Sequence, residues 1–139
     1  MDADQLTLPI GPRDHVRGRL DAQVTLLEYG DFECPQCAQA FPIVKELERR
    51  FGDRLRFVFR HFPLTNVHPN AQRAAEAAEW AASLGLFWEM HDAIYESAPR
   101  LSEERLLDLA SALASSRMGL VDAWHAHTHF PRVKEDFRS

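Results

Sequence analysis

An α/β fold is what the sequence predicts, and three observations carry that expectation. Two β-rich runs, Val24–Tyr29 and Leu55–Phe62, flank a segment with helical spacing. The chain's two cysteines, Cys34 and Cys37, stand at the start of that segment. From Pro69 onward, apolar residues recur with helical period. Residues 1–139 therefore read as one domain, with a βαβ unit over 24–62 and a helical region over 69–137.

Each element has its local reason. Val24-Thr25-Leu26-Leu27-Glu28-Tyr29 is short, rich in β-formers and bounded by polar residues and Gly30. After the turn 30–33, Cys34 reads as an N-cap and Pro35 as the first helical residue, where its missing N–H costs nothing. Ala40, Ile43, Val44, Leu47 and Phe51 form one helical stripe that stops at Gly52. Pro42 lies inside that helix and implies a built-in kink, a structural role. Leu55–Phe62 alternates apolar and polar residues over most of its length. Asn70–Leu84 is an alanine-rich helix closed by Gly85, and Phe87, Met90, His91, Ile94 and Tyr95 form the next stripe. Ser102 caps a helix whose apolar face is Leu106, Leu109, Ala110 and Leu113, with Glu103 and Glu104 in its first turn. A last helix is expected from Asp122 through His129, before Pro131. Gln5–Leu8 is a candidate third strand.

Composition narrows the function classes. A formal charge of −5, from 16 basic and 21 acidic residues, argues against nucleic acid as the main partner. No apolar run approaches the roughly 18 residues of a membrane span. The first twenty residues lack the apolar centre of a signal peptide, so the expected compartment is the cytoplasm.

The cysteine pair is the most informative feature. Two cysteines placed at random would be three positions apart roughly one time in seventy in a chain of this length. A structural zinc site needs four ligands, and there is no second cysteine pair, so histidines would have to complete it. A stapling disulfide over two residues closes almost no loop and stabilises little. A Cys-x-x-Cys at a helix start inside a βαβ unit reads best as a redox dithiol. The positive helix end favours a thiolate at Cys34, whereas the charge of Glu33 opposes one. Cys37, one turn further in, is placed to resolve a mixed disulfide. Glu28 shares a strand face with Val24 and Leu26. It either points into an apolar layer, where burial suits it to proton exchange near neutrality, or reaches water at the strand end.

The stretch EYGDFECPQCAQAFPIVKELERRFGDRLRFVFRHFPL, continued by HPNAQRAAEAAEWAASLGLFWEMHDAIYE, resembles the DsbA-like branch of the thioredoxin superfamily. It is especially similar to the DsbA-like domains also found fused to Na⁺/H⁺ antiporters. The resemblance implies a thioredoxin-like fold with a helical insertion and thiol-disulfide exchange on protein or small-molecule thiols, without a metal or organic cofactor. It makes Cys34 the nucleophile, Cys37 the resolving thiol and Glu28 the acid that takes the resolving thiol's proton, with Glu33, Pro35 and Gln36 tuning the dithiol. Direction stays open. The Pro-x dipeptide of CPQC leans toward an oxidant or isomerase, a cytoplasmic setting toward a reductase. A redox-responsive binding module with an impaired site, or a zinc fold using Cys34, Cys37 and histidines, are the alternatives.

The sequence departs from the family after the helical insertion, where a cis-proline loop and a ββα unit are expected and not seen. Only two parallel strands are then certain, which is few for such a sheet. The strand Val24–Tyr29 is expected to expose an edge that a homodimer or a swapped element covers. His125 and His129 would share a helix face and are read as surface residues. His91 is read as core, and Arg49, Arg50, Arg54, Arg56 and Arg60 as a solvated surface.

Overall fold

The computed structural model describes residues 5–139. Its sheet has three strands, β1 (His15–Arg17), β2 (Val24–Gly30) and β3 (Leu55–His61), in the order β1-β3-β2. β2 and β3 are parallel, joined through helix α1 (Pro35–Phe51), as the βαβ reading expects. Pro35 occupies the first turn and Pro42 lies inside the helix. The helical region holds α2 (Ala71–Ala82), α3 (Phe87–Ser97), α4 (Glu103–Ala114), α5 (Arg117–His125) and α6 (Phe130–Phe137). Ser102 caps α4, its side chain accepting from Arg105 N.

β3 is the central strand, and residues 57–61 are all buried. The β2–β3 register sets Leu26 beside Phe57, Glu28 beside Phe59 and Gly30 beside His61. Neighbours in register share a sheet face, so Glu28 lies on the face where Phe57 and Phe59 meet Trp88, His91 and Tyr95 of α3. Gly30 is required there: a Cβ on it would fall 2.1 Å from the Phe59 ring.

Several expectations are corrected. Gln5–Leu8 forms no strand; Thr7 N instead donates to Ser139 O at 3.0 Å, tying the segment to the end of the chain. The third strand is His15–Arg17, antiparallel to β3. The helix expected over Asp122–His129 starts earlier, at Arg117, and ends at His125; a turn in which His127 adopts φ 52° then leads to α6. Pro131 opens α6 instead of ending a helix, so His125 and His129 do not share a face. The strand expected to run through Phe62 ends at His61, and Arg60 is fully buried, not a surface residue. Its guanidinium donates to both Asp14 oxygens, at 2.8 and 3.0 Å, and to the Tyr29 hydroxyl at 3.1 Å.

Candidate active site

The dithiol sits where β2 hands over to α1. Cys34 is the N-cap residue, with extended backbone, and Ala38 N donates to its carbonyl at 3.0 Å. Both cysteines are free thiols and partly exposed, beside the exposed Pro35 and Gln36. The Cys34 thiol donates to Gln36 Oε1 at 3.0 Å. Gln36 thus touches the sulfur itself, and Pro35 fixes the first turn through its ring.

Behind the dithiol lies a pocket of acidic groups. Burial pushes the Cys37 thiol up to about 11; the negative charges of Cys34 and Glu28 add to this, and a backbone hydrogen bond from Asp31 opposes it. Burial alone pushes the Glu28 carboxyl up to about 7. Tyr95 joins the same pocket from α3. Burial, then the charges of Glu28, Cys37 and Asp31, raise its phenol far above the ordinary range. The arrangement therefore sets a buried thiol beside a carboxyl that titrates near neutral pH, next to a phenol that stays protonated.

A second ring of contacts holds the turn 30–33. Buried Asp31 accepts from Glu33 N at 2.8 Å, Leu64 N at 2.9 Å and His68 Nδ1 at 2.7 Å, while its carbonyl accepts from Cys34 N at 3.1 Å. Glu33 Oε1 accepts from Asn70 N, so its carboxylate faces the chain just before α2. Glu33 therefore braces the turn in addition to placing charge near Cys34. Sequence reasoning missed Asp31, His68 and Tyr95. A HisPro at 68–69 before a helix was the available signal for His68; nothing local signals Tyr95 as more than core.

The one His/Cys/Asp/Glu group close enough to share an ion, among the described residues, is His15, His61 and Glu79, which contains neither cysteine. Glu79 Oε2 meets His15 Nε2 at 2.5 Å and His61 Nε2 at 2.9 Å. Arg132 Nε lies 3.6 Å from the other oxygen, and His61 Nδ1 has no partner to orient it as a ligand. Both features suit a hydrogen-bonded charge cluster better than a cation.

Residues 11–134 match the sequence model of a family described as Thioredoxin. The chain is 54% identical over 109 residues to Na(+)/H(+) antiporter NhaA 1 of Salinispora arenicola, a match covering 78% of this chain and 17% of that protein. It is 39% identical over 132 residues to Na(+)/H(+) antiporter NhaA of Herminiimonas arsenicoxydans, covering 94% of this chain and 21% of that one. The chain thus spans about a fifth of these relatives' length. Among solved structures, oxidised BdbD from Bacillus subtilis superposes with a TM-score of 0.74 at 27% identity, covering 87% of this chain and 70% of that one. A thioredoxin-like oxidoreductase from Silicibacter pomeroyi gives 0.76 at 25% identity, covering 91% and 69%. Wolbachia pipientis alpha-DsbA1, at 21% identity, 0.71 and coverage of 94% and 68%, shares the fold.

Proposed function

We propose, for a chain that belongs to the thioredoxin family, that it exchanges thiols and disulfides through the dithiol of Cys34 and Cys37. One observation carries the reading: a cysteine at the mouth of α1 has a second cysteine behind it, next to a carboxyl raised to about 7. The Cys34 thiolate attacks a substrate disulfide; a Cys34–substrate bond forms, and one substrate sulfur leaves with the electron pair and takes a proton. Cys37 then gives its proton to the Glu28 carboxylate and attacks Cys34 Sγ. The Cys34–Cys37 disulfide forms, the second substrate sulfur leaves as a thiolate, and the substrate is reduced as the dithiol is oxidised. The reverse sequence oxidises a substrate dithiol.

The substrates are protein or small-molecule thiols and disulfides, and the working compartment is the cytoplasm, where the ambient poise favours the reducing direction. The test is turnover of insulin disulfides by the wild type and by Cys34→Ser, with metal content measured in parallel. Loss of turnover in Cys34→Ser without bound zinc supports the reading; turnover that survives the substitution, or stoichiometric zinc on the dithiol, overturns it. A second reading is favoured by the names of the sequence relatives, which are antiporters: a redox-responsive binding module. Its signature is a dithiol that titrates against glutathione yet turns over no substrate.

A further inference from the structure

We propose that Tyr95 is a working part of the dithiol site, its hydroxyl donating a hydrogen bond to the Cys37 sulfur once that sulfur is a thiolate. The inference rests on the thiol-exchange reading and deepens it.

The phenol is held in place from three sides. Its ring stacks on Phe41, one helical turn beyond Cys37 on α1, with centroids 5.4 Å apart. Phe32 lies 4.8 Å away on the dithiol side and His91 5.1 Å away on its own helix. The hydroxyl reaches the backbone of β2, since a Cβ on Gly30 would lie 3.0 Å from it, two residues beyond Glu28. It therefore sits between the strand that carries Glu28 and the helix that carries Cys37.

This hydroxyl is buried, with Tyr95 only 5% exposed, and has no hydrogen-bond partner in the structure. A buried donor left without an acceptor is costly. The chemistry supplies the missing acceptor, because the step that deprotonates Cys37 creates an anion next to the phenol. The groups acting most strongly on Cys37 and Tyr95 are Glu28 from β2, Asp31 from the turn, and Cys34 and Cys37 from the helix start. None is a cation, and burial keeps His91 neutral, its pKa pushed down to about 4. Burial raises both groups, and Cys37 further than Glu28, so moving the Cys37 proton to Glu28 runs uphill. A charge-assisted hydrogen bond to the thiolate shortens that climb.

The step stays balanced. Tyr95 keeps its proton throughout, the Cys37 proton goes to Glu28, and the electron pair of the Cys37 thiolate becomes the Cys34–Cys37 bond as the substrate sulfur departs with its own.

The experiment follows the alkylation rate of Cys37 against pH in Cys34→Ser, with and without Tyr95→Phe. The expected result is a midpoint raised by about one pH unit by Tyr95→Phe, roughly a tenfold slower alkylation below it, with the melting temperature held. In the protein with Cys34 intact, alkylation of Cys34 is unchanged. A folded Tyr95→Phe chain with an unmoved Cys37 midpoint, or one in which Cys34 moves equally, overturns the proposal. Should Tyr95→Phe fail to fold, 3-fluorotyrosine introduced in a Tyr29→Phe background keeps the hydroxyl and strengthens it as a donor; the Cys37 midpoint then falls, and a midpoint that stays put overturns the idea. Alkylation needs no turnover, so this outcome is separate from whether the chain turns over insulin.

Discussion

Glu28 is the residue whose protonation can be read in two independent ways. Burial raises its carboxyl from 4.5 to about 7. Between those values the folded chain holds a proton that the unfolded chain has released, so this group's contribution to stability falls as pH rises from about 4.5 to about 7 and is level above. The full shift corresponds to about 3 kcal/mol, and water reaching the half-buried group reduces this to about 1–2 kcal/mol. Glu28→Gln is therefore expected to be more stable than the wild type by about 1–2 kcal/mol at pH 8 and no more stable at pH 4.5. Thiol-disulfide exchange in the same variant is expected to slow ten- to a hundredfold, because the proton acceptor is gone. Denaturant titrations at the two pH values, with insulin turnover, check both; an identical stability difference at pH 4.5 and pH 8 would place the carboxyl in water. Cys34, Cys37 and Glu28 were legible in the sequence because their relation is local, fixed by a helix start and a strand's period of two. Asp31, His68 and Tyr95 were not, because their contacts close across the fold: the Asp31–His68 pair spans 37 positions.

At the level of elements, long periodic helices were legible and short or charge-bearing pieces were not. β1 is three residues, His-Val-Arg, with too little pattern to separate it from a loop. It becomes a strand because β3 offers it an edge and because Arg17 is clamped between Glu48 of α1 and Asp92 of α3. Arg60 looked like a solvent-facing position because β3 alternates, but a central strand covered on both faces buries its polar positions too, and Asp14 neutralises this one. The same logic hid Glu79, which sits in an alanine-rich helix and joins His15 of β1 to His61 of β3. Those partners hold its carboxyl far below the usual range against the opposing effect of burial. Removing Glu79 leaves the ring nitrogens of His15 and His61 that meet it without their partner, while Arg132, 3.6 Å away, keeps its pairing with Asp136. Glu79→Ala is expected to cost about 1–3 kcal/mol in urea unfolding. A cost below 1 kcal/mol would show that β1 and α6 are held without it.

For the molecule as a whole, the open question is the free edge of the sheet. β2 pairs with β3 on one side, and among the described residues no strand pairs with the other. Beside that edge runs a groove of about 300 Å³, lined by Val24, Leu26, Leu47, Phe51 and Leu55 with Thr25 and Arg54. Val24 is 56% and Phe51 44% exposed, so the apolar surface continues out of the groove. The edge-facing strand, VTLLEYG, carries one ionisable carboxyl, Glu28, which faces the interior, and none of the lysines or prolines that blunt an edge. Two copies related by a two-fold axis would pair these strands antiparallel and cover both grooves with the same residues, the self-complementary case that closes into a dimer. A stable interface of this kind needs roughly 1,600 Å² in total, so strand pairing alone falls short and the groove must be filled as well. The expected outcome is a concentration-dependent dimer in light scattering and sedimentation, returned to monomer by Val24→Lys together with Phe51→Lys. Both positions are exposed, so the double variant keeps the cooperative melt of the fold while losing the association. A wild-type chain that stays monomeric at high concentration and melts cooperatively would show that the three-stranded sheet is sufficient by itself, with α1 and the β2 edge stable in water.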